Sequence, residues 1–146
     1  MDEELVPLNS IIESRLVTSR TLDFIQHELV DALAERRLPG EACGSIDASC
    51  VLVGNSYSSI MIAPKDDELQ TEQDDLENYG RILKDAISTR SGNRGLHIVA
   101  DKCLNGEITT IGELALCLEK RISNTIYIPL IVLIAGLIGV LIWLNA

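Results

Sequence analysis

The hexapeptide Arg90-Ser91-Gly92-Asn93-Arg94-Gly95 carries the residue types and spacing best suited to chemistry in this chain. Its two glycines allow close approach to the backbone, and N–H groups flanked by arginine forks can hold phosphate or carboxylate. Between Arg81 and Arg94 there are four cations (Arg81, Lys84, Arg90, Arg94) against one anion, Asp85, in a chain of net charge −10. All six residues are therefore candidate ligands of an anion. The stretch is neither a P-loop, since G-x-x-x-x-G-K-[ST] is absent, nor a G-x-G-x-x-G turn. The competing reading is structural: a helix C-cap whose cations are favoured by the helix dipole.

Other chemistry is poorly provided for. His27 stands between Gln26 and Glu28, and His97 follows the basic stretch. The serines include no G-x-S-x-G elbow. A dyad of His97 with Cys103 or Cys117 would be pairing by availability, so no catalytic residue is assigned and an enzyme is not expected. The four cysteines, Cys43, Cys50, Cys103 and Cys117, contain no C-x-x-C pair, and the two histidines supply no finger or ribbon spacing. No metal or cofactor is expected. The cysteines read as reduced, small apolar side chains, with a Cys43–Cys50 disulfide as the alternative.

Asn78-Tyr79-Gly80-Arg81 resembles the Asn-Trp-Gly-Arg motif of Bcl-2 family proteins, many of which also carry a C-terminal membrane span. The resemblance covers four residues, of which one differs. In that family a long buried apolar helix follows the motif. Here Ser91-Gly92 interrupts after ten residues, and only 45 positions separate Arg81 from residue 126. The family is not assigned on this basis; what the resemblance implies is a place for death-signalling adaptors among the functions to weigh.

Ile126 to Leu144 reads IYIPLIVLIAGLIGVLIWL, nineteen residues without a charge, ending two residues before the last residue. As a helix it would be roughly 28 Å long, close to the ~30 Å hydrocarbon thickness of a bilayer. The reading is a C-terminal transmembrane anchor over residues 122–146. Lys120 and Arg121 precede it and nothing basic follows, which places the N-terminal part in the cytoplasm. The start, Met1-Asp2-Glu3-Glu4-Leu5, is acidic where a signal peptide needs a basic region and an apolar run. The layout is tail-anchored in an organelle membrane if the source is eukaryotic, and an inner-membrane protein if it is bacterial. Ala135 and Gly139, with Gly136 beside them, form a small-xxx-small face that would let two spans approach and self-associate. Tyr127 and Trp143 stand where interfacial aromatics belong.

All 12 basic and 22 acidic residues fall at or before Arg121, so the whole charge belongs to residues 1–121. About 120 residues make one domain with a real core, and that domain is expected to fold alone. Such an acidic unit is a poor general binder of nucleic acid. Phe24, Tyr57 and Tyr79 are its only aromatics, too few for a nucleic-acid or carbohydrate groove.

The elements that must position these residues follow from periodicity. Ser10 and Glu13 have the form of a capping box, and Leu22, Ile25, Leu29 and Leu33 recur at helical spacing, so residues 10–37 read as one long helix or two, broken near Thr18 to Thr21. Ile46 to Ala63 reads as a β-hairpin turning at Gly54-Asn55, with Ile46, Cys50 and Leu52 on one side and Val51 and Val53 on the other. The acid run from Asp66 to Glu77 reads as a solvated loop and helix face. Leu76, Tyr79, Ile82, Leu83, Ala86 and Ile87 mark an amphipathic helix from about Thr71 to Thr89. Leu96 to Ala100 reads as a strand, paired through an Asn105-Gly106 turn with Glu107 to Ile111, or else Arg94 to Leu104 is a short helix. Thr110 and Glu113 signal a further helix start ahead of Ile111, Leu114 and Leu118.

The fold class is α+β: helix, β-hairpin, helix, strands or a short helix, helix, then one transmembrane helix. The expected function is that of a cytoplasmic interaction, adaptor or signalling module held on the bilayer, with a protein partner or a second copy engaged through the span. The alternative is an effector that senses a small phosphate-bearing ligand and signals through oligomerised spans.

Overall fold

The computed structural model describes residues 5–36, 45–54, 57, 59–63, 70–90 and 93–119. Strand β1 (Leu5–Pro7) runs directly into helix α1 (Leu8–Glu13). Helices α2 (Ser19–Gln26) and α3 (Glu28–Glu35) follow, meeting at His27. Strands β2 (Val51–Gly54) and β3 (Ile60–Ile62) come next, then α4 (Glu72–Ser88) and α5 (Arg94–Leu104). Residues 111–119 are again helical. The class is α+β, with an antiparallel sheet in the order β1-β2-β3.

The N-terminal helical region breaks earlier than its periodicity suggests. Pro7 holds φ −62° and begins α1 at Leu8, so Ser10 lies inside the helix and makes no capping box with Glu13. The chain leaves α1 through Arg15 at φ +57°, and α2 starts on a reciprocal box between Thr18 and Thr21. The Thr21 amide donates to Thr18 Oγ1 (3.2 Å), and the Thr18 amide donates to Thr21 Oγ1 (3.1 Å).

The hairpin forms as read, with Val51 opposite Ile62 and Val53 opposite Ile60. Its turn is longer than two residues: the Gly54 amide donates to Ser59 O (3.0 Å), leaving four residues between them, of which Tyr57 has φ +58°. A third strand was not legible as such, yet Leu5–Pro7 pairs with Gly54–Leu52 and makes β2 the central strand. Directly opposed residues share a face. Val6, Val53 and Ile60 therefore look inward with Val51 and Ile62, whereas Leu52 and Met61 point out, Met61 being 51% exposed. Val51 and Val53 form the core side of the hairpin; Cys50 and Ile46, in the approach to it, are buried as well.

Helix α4 carries the core. Thr71 and Asp74 form its capping box, and Leu76, Tyr79, Ile82, Leu83, Ala86 and Ile87 are all buried. Fully burying a side chain of this size contributes about 1.5–3 kcal/mol, so this face supplies much of the hydrophobic stabilisation. The acid run is not solvated throughout, because Asp75 is completely buried.

The strand reading of Leu96 to Ala100 is corrected: the segment is helix α5. Leu96, Val99, Ala100 and Cys103 are the buried positions, a spacing of 3, 4 and 7 that only a helix places on one side. Asn105-Gly106 does not turn a hairpin. Gly106 adopts φ +70°, its amide donates to Cys103 O (3.2 Å), and the Glu107 amide donates to Lys102 O (2.9 Å). That is a Schellman cap, which needs the same left-handed glycine as a tight hairpin turn. Residues 107–109 are irregular, so no strand pairs there.

The helix beginning at residue 111 is capped as expected. The Glu113 amide donates to Thr110 Oγ1 (3.1 Å), while the Glu113 carboxylate accepts from the amide (2.8 Å) and hydroxyl (3.0 Å) of Thr109. Glu72 Oε1 accepts from the Ile111 amide (2.8 Å), tying the first turns of this helix and α4 together. Among the described residues no helix is long and apolar enough to cross a membrane. The span Ile126 to Leu144, with Ala135, Gly136 and Gly139, lies outside the described residues, as do Cys43 and the loop residues Ser91 and Gly92.

Candidate functional site

The basic stretch joins two elements. Arg90 lies just beyond the C-cap of α4, its amide donating to Ile87 O (3.0 Å). Its Nη1 reaches across the fold and donates to Ser19 Oγ in the first turn of α2 (3.2 Å). Asn93 is the N-cap of α5, but its side chain makes no capping hydrogen bond; its carbonyl accepts from the amides of Leu96 (2.9 Å) and His97 (3.1 Å). Arg94 and Gly95 are the first two residues of α5, ahead of those bonded amides, and Arg94 is exposed. The anchoring of the stretch is thus part C-cap of α4 and part start of α5. Arginine at a helix start opposes the macrodipole, the reverse of what the C-cap reading assumes for Arg94.

The four-cation cluster does not survive folding. Arg81 pairs with Glu77 one turn back along α4, and Lys84 Nζ lies 2.8 Å from Asp101 Oδ1 of α5. Neither anion belongs to the sequence window that made the cluster conspicuous. Arg90 and Arg94 are left without a carboxylate partner among the described residues, and of the two Arg90 is engaged by Ser19 Oγ.

Of the four residues that resemble a Bcl-2 motif, packing accounts for Tyr79 and Gly80, and a surface ion pair for Arg81. Tyr79 is fully buried and its hydroxyl donates to Ile25 O in the last turn of α2 (3.2 Å). Burial, with a smaller contribution from Cys103, pushes the Tyr79 phenol far above its ordinary range, so it stays neutral. Gly80 faces α5, where a Cβ would stand 3.0 Å from the Ala100 carbonyl oxygen. Arg81 is the exposed partner of Glu77.

His27 Nε2 lies 3.7 Å from Asp23 Oδ1, both on the surface. Cys50 and Cys103 are buried, and Cys117 is half-buried. Burial, aided by Cys117, pushes the Cys103 thiol up to about 12, which keeps it protonated and a poor nucleophile at neutral pH. Among the described residues no group of three or more His, Cys, Asp or Glu side chains is placed to hold a metal.

Two cavities were not legible in the sequence. One, of about 180 Å³, opens between β1, α1 and the hairpin turn and is lined by Val6, Ile11, Val53, Gly54 and Tyr57. The other, of about 270 Å³, lies between α1 and the end of α4 and is lined by Asn9, Ile12, Glu13, Ala48, Asp85 and Ser88. Its residues come from three separate segments, so no local motif could have announced it. Ser10-x-x-Glu13 has the form of a helix cap and nothing in it points to a cleft. Instead Glu13 turns out to share a cleft with Asp85, the lone anion of the basic window.

No protein-family model, curated protein or solved structure matches this chain.

Proposed function

We propose that this chain is a single-pass membrane protein, held by residues 126–144, whose acidic α+β unit faces the cytoplasm and serves as an interaction or adaptor module. The observation that carries the reading is the segregation of charge: every ionisable Lys, Arg, Asp and Glu lies at or before Arg121, and nineteen uncharged apolar residues follow within a few positions. A folded unit of this composition next to a bilayer-length segment is what a membrane-held recognition module requires. Partner recognition is favoured over anion sensing by the fate of the cations. Arg81 and Lys84 are paired within the fold and Arg90 is engaged with Ser19 Oγ, which leaves Arg94 as the more available anchor for a free anion.

The sensing alternative rests on Arg94, Gly95 and the uncapped start of α5, with Arg90 and Asn93 beside them. A phosphate group there would meet first-turn amides and a guanidinium.

Alkaline carbonate extraction of native membranes tests the anchor, and protease digestion of sealed vesicles tests the orientation. Resistance to extraction together with cleavage of an N-terminal tag from the cytoplasmic side is the expected result. Release by carbonate, or a tag protected inside the vesicles, rejects the reading. Replacing Ala135 and Gly139 together by Leu should weaken self-association of the span, because larger side chains keep the two backbones apart.

A further inference from the structure

We propose that the cleft between α1 and α4 receives a lysine or arginine side chain presented by the protein partner, a reading that rests on the interaction role above. The cleft has room for one long side chain, at about 270 Å³. Its walls divide by chemistry. Ile12, which is buried, and Ala48 offer an apolar surface on which methylene groups can lie. Glu13 and Asp85 bring two carboxylates from different elements, and among the described residues neither is paired with a cation.

The remaining polar groups also call for a donor. Ser88 Oγ spends its hydrogen on Asp85 O (2.7 Å), so it faces the cleft with lone pairs. Asn9 Oδ1 is buried and accepts no hydrogen bond. An acceptor left in that condition is costly, and Asn9 belongs to the wall of the cleft. The backbone holds this wall in place, since the Asn9 amide donates to Ala48 O (3.0 Å). Two unpaired carboxylates, an unsatisfied amide oxygen and a hydroxyl acceptor, set against an apolar strip in a chain of charge −10, are complementary to an aliphatic stem ending in a cation. An anionic or apolar head would leave the same oxygens without a donor, and a neutral polar head would leave the two carboxylates without a counter-charge.

The test uses the purified full chain in detergent micelles, ¹⁵N-labelled, with the peptide Ac-Ala-Ala-Lys-Ala-Ala-NH₂ as probe. Its arginine and norleucine counterparts and free spermidine serve as comparisons. The Lys and Arg peptides should shift the amide signals of Asn9, Glu13, Ala48, Asp85 and Ser88, whereas the norleucine peptide should not. Glu13→Gln with Asp85→Asn should weaken that binding at least tenfold. Glu107→Gln with Glu119→Gln removes the same charge from exposed positions elsewhere and should leave it within twofold.

Equal shifts with norleucine, equal losses in the two double variants, or shifts spread over the acidic surface would overturn the proposal without requiring any variant of uncertain fold. Spermidine binding as tightly as the peptides would make the cleft a free-amine site and reject the partner side chain. Failure here is separable from failure of the adaptor reading. A partner that crosslinks to a photoreactive residue at Ile98 but not at Ala48 refutes the cleft alone, whereas carbonate release of the chain refutes the membrane module whatever the peptides do.

Discussion

Gly80 of α4 lies directly against Cys103 of α5: a methyl group in place of the glycine hydrogen would stand 2.9 Å from Cys103 Cβ and 3.0 Å from the Ala100 carbonyl oxygen. Backbone cannot yield as a flexible side chain would, so the two helices pack at the distance that glycine permits. Alanine in a helix interior normally gains about 1 kcal/mol over glycine. Here overpacking outweighs that gain, and Gly80→Ala should lose about 1–3 kcal/mol, measured by urea denaturation. Gly112 is the control, since among the described residues an added Cβ there would meet only Thr110 Oγ1, at 3.9 Å. Gly112→Ala should stabilise by roughly 0.5–1 kcal/mol. Equal effects of the two substitutions would contradict the crossing.

The buried Tyr79 and Cys103 make the fold labile to base. Both groups ionise more readily in the unfolded chain, so as pH rises past the ordinary thiol value of 9.0 and phenol value of 10.0 the unfolded state loses protons that the folded state keeps. Stability should therefore be independent of the ionisation of these groups below about pH 8, where their contribution is fully present, and fall between about pH 9 and 12. Near-UV circular dichroism during alkaline titration will show this, and Tyr79→Phe with Cys103→Ala should flatten the decline.

The helix from residue 111 depends on its cap. Thr110→Ala removes the acceptor for the Glu113 amide and should cost about 1 kcal/mol. The amide and hydroxyl of Thr109 hold the Glu113 carboxyl below its ordinary value of 4.5. Its contribution is therefore present above pH 4.5 and disappears as pH falls through the lowered value. Glu113→Gln should remove that part of the acid dependence, seen as a smaller change in melting temperature between pH 5 and pH 3.

Arg90 and Arg94 separate the two functional readings. Arg90→Ala removes an exposed contact with Ser19 and should change stability by less than about 0.5 kcal/mol. If the start of α5 holds phosphate, pyrophosphate will raise the melting temperature of the full chain, and Arg94→Ala will need about tenfold more pyrophosphate for the same rise, the worth of one charge-assisted contact. No protection by pyrophosphate in the unaltered chain rejects the sensing alternative.

Local periodicity and capping chemistry were legible because they depend on neighbours along the chain. The buried face of α4, the start of the helix at residue 111 and the alternation of Val51 and Val53 against Leu52 all follow from spacing. The charge segregation and the uncharged stretch at 126–144 are likewise properties of the sequence itself. Where a residue type serves two structures, the sequence was silent. Gly106 suits a hairpin or a Schellman cap, and between the strand and the helix that the sequence allowed for Leu96 to Ala100 the fold takes the helix, with α5 packed closely on Gly80. Leu5–Pro7 is too short to declare itself as a strand, since its reason for being extended is its pairing with β2. Charge placement was decided in the same way: Asp101 neutralises Lys84 from 17 residues away, and Glu13 and Asp85, 72 positions apart, line one cleft. Contacts at such separations leave no periodic trace, because each partner is an ordinary surface residue within its own segment.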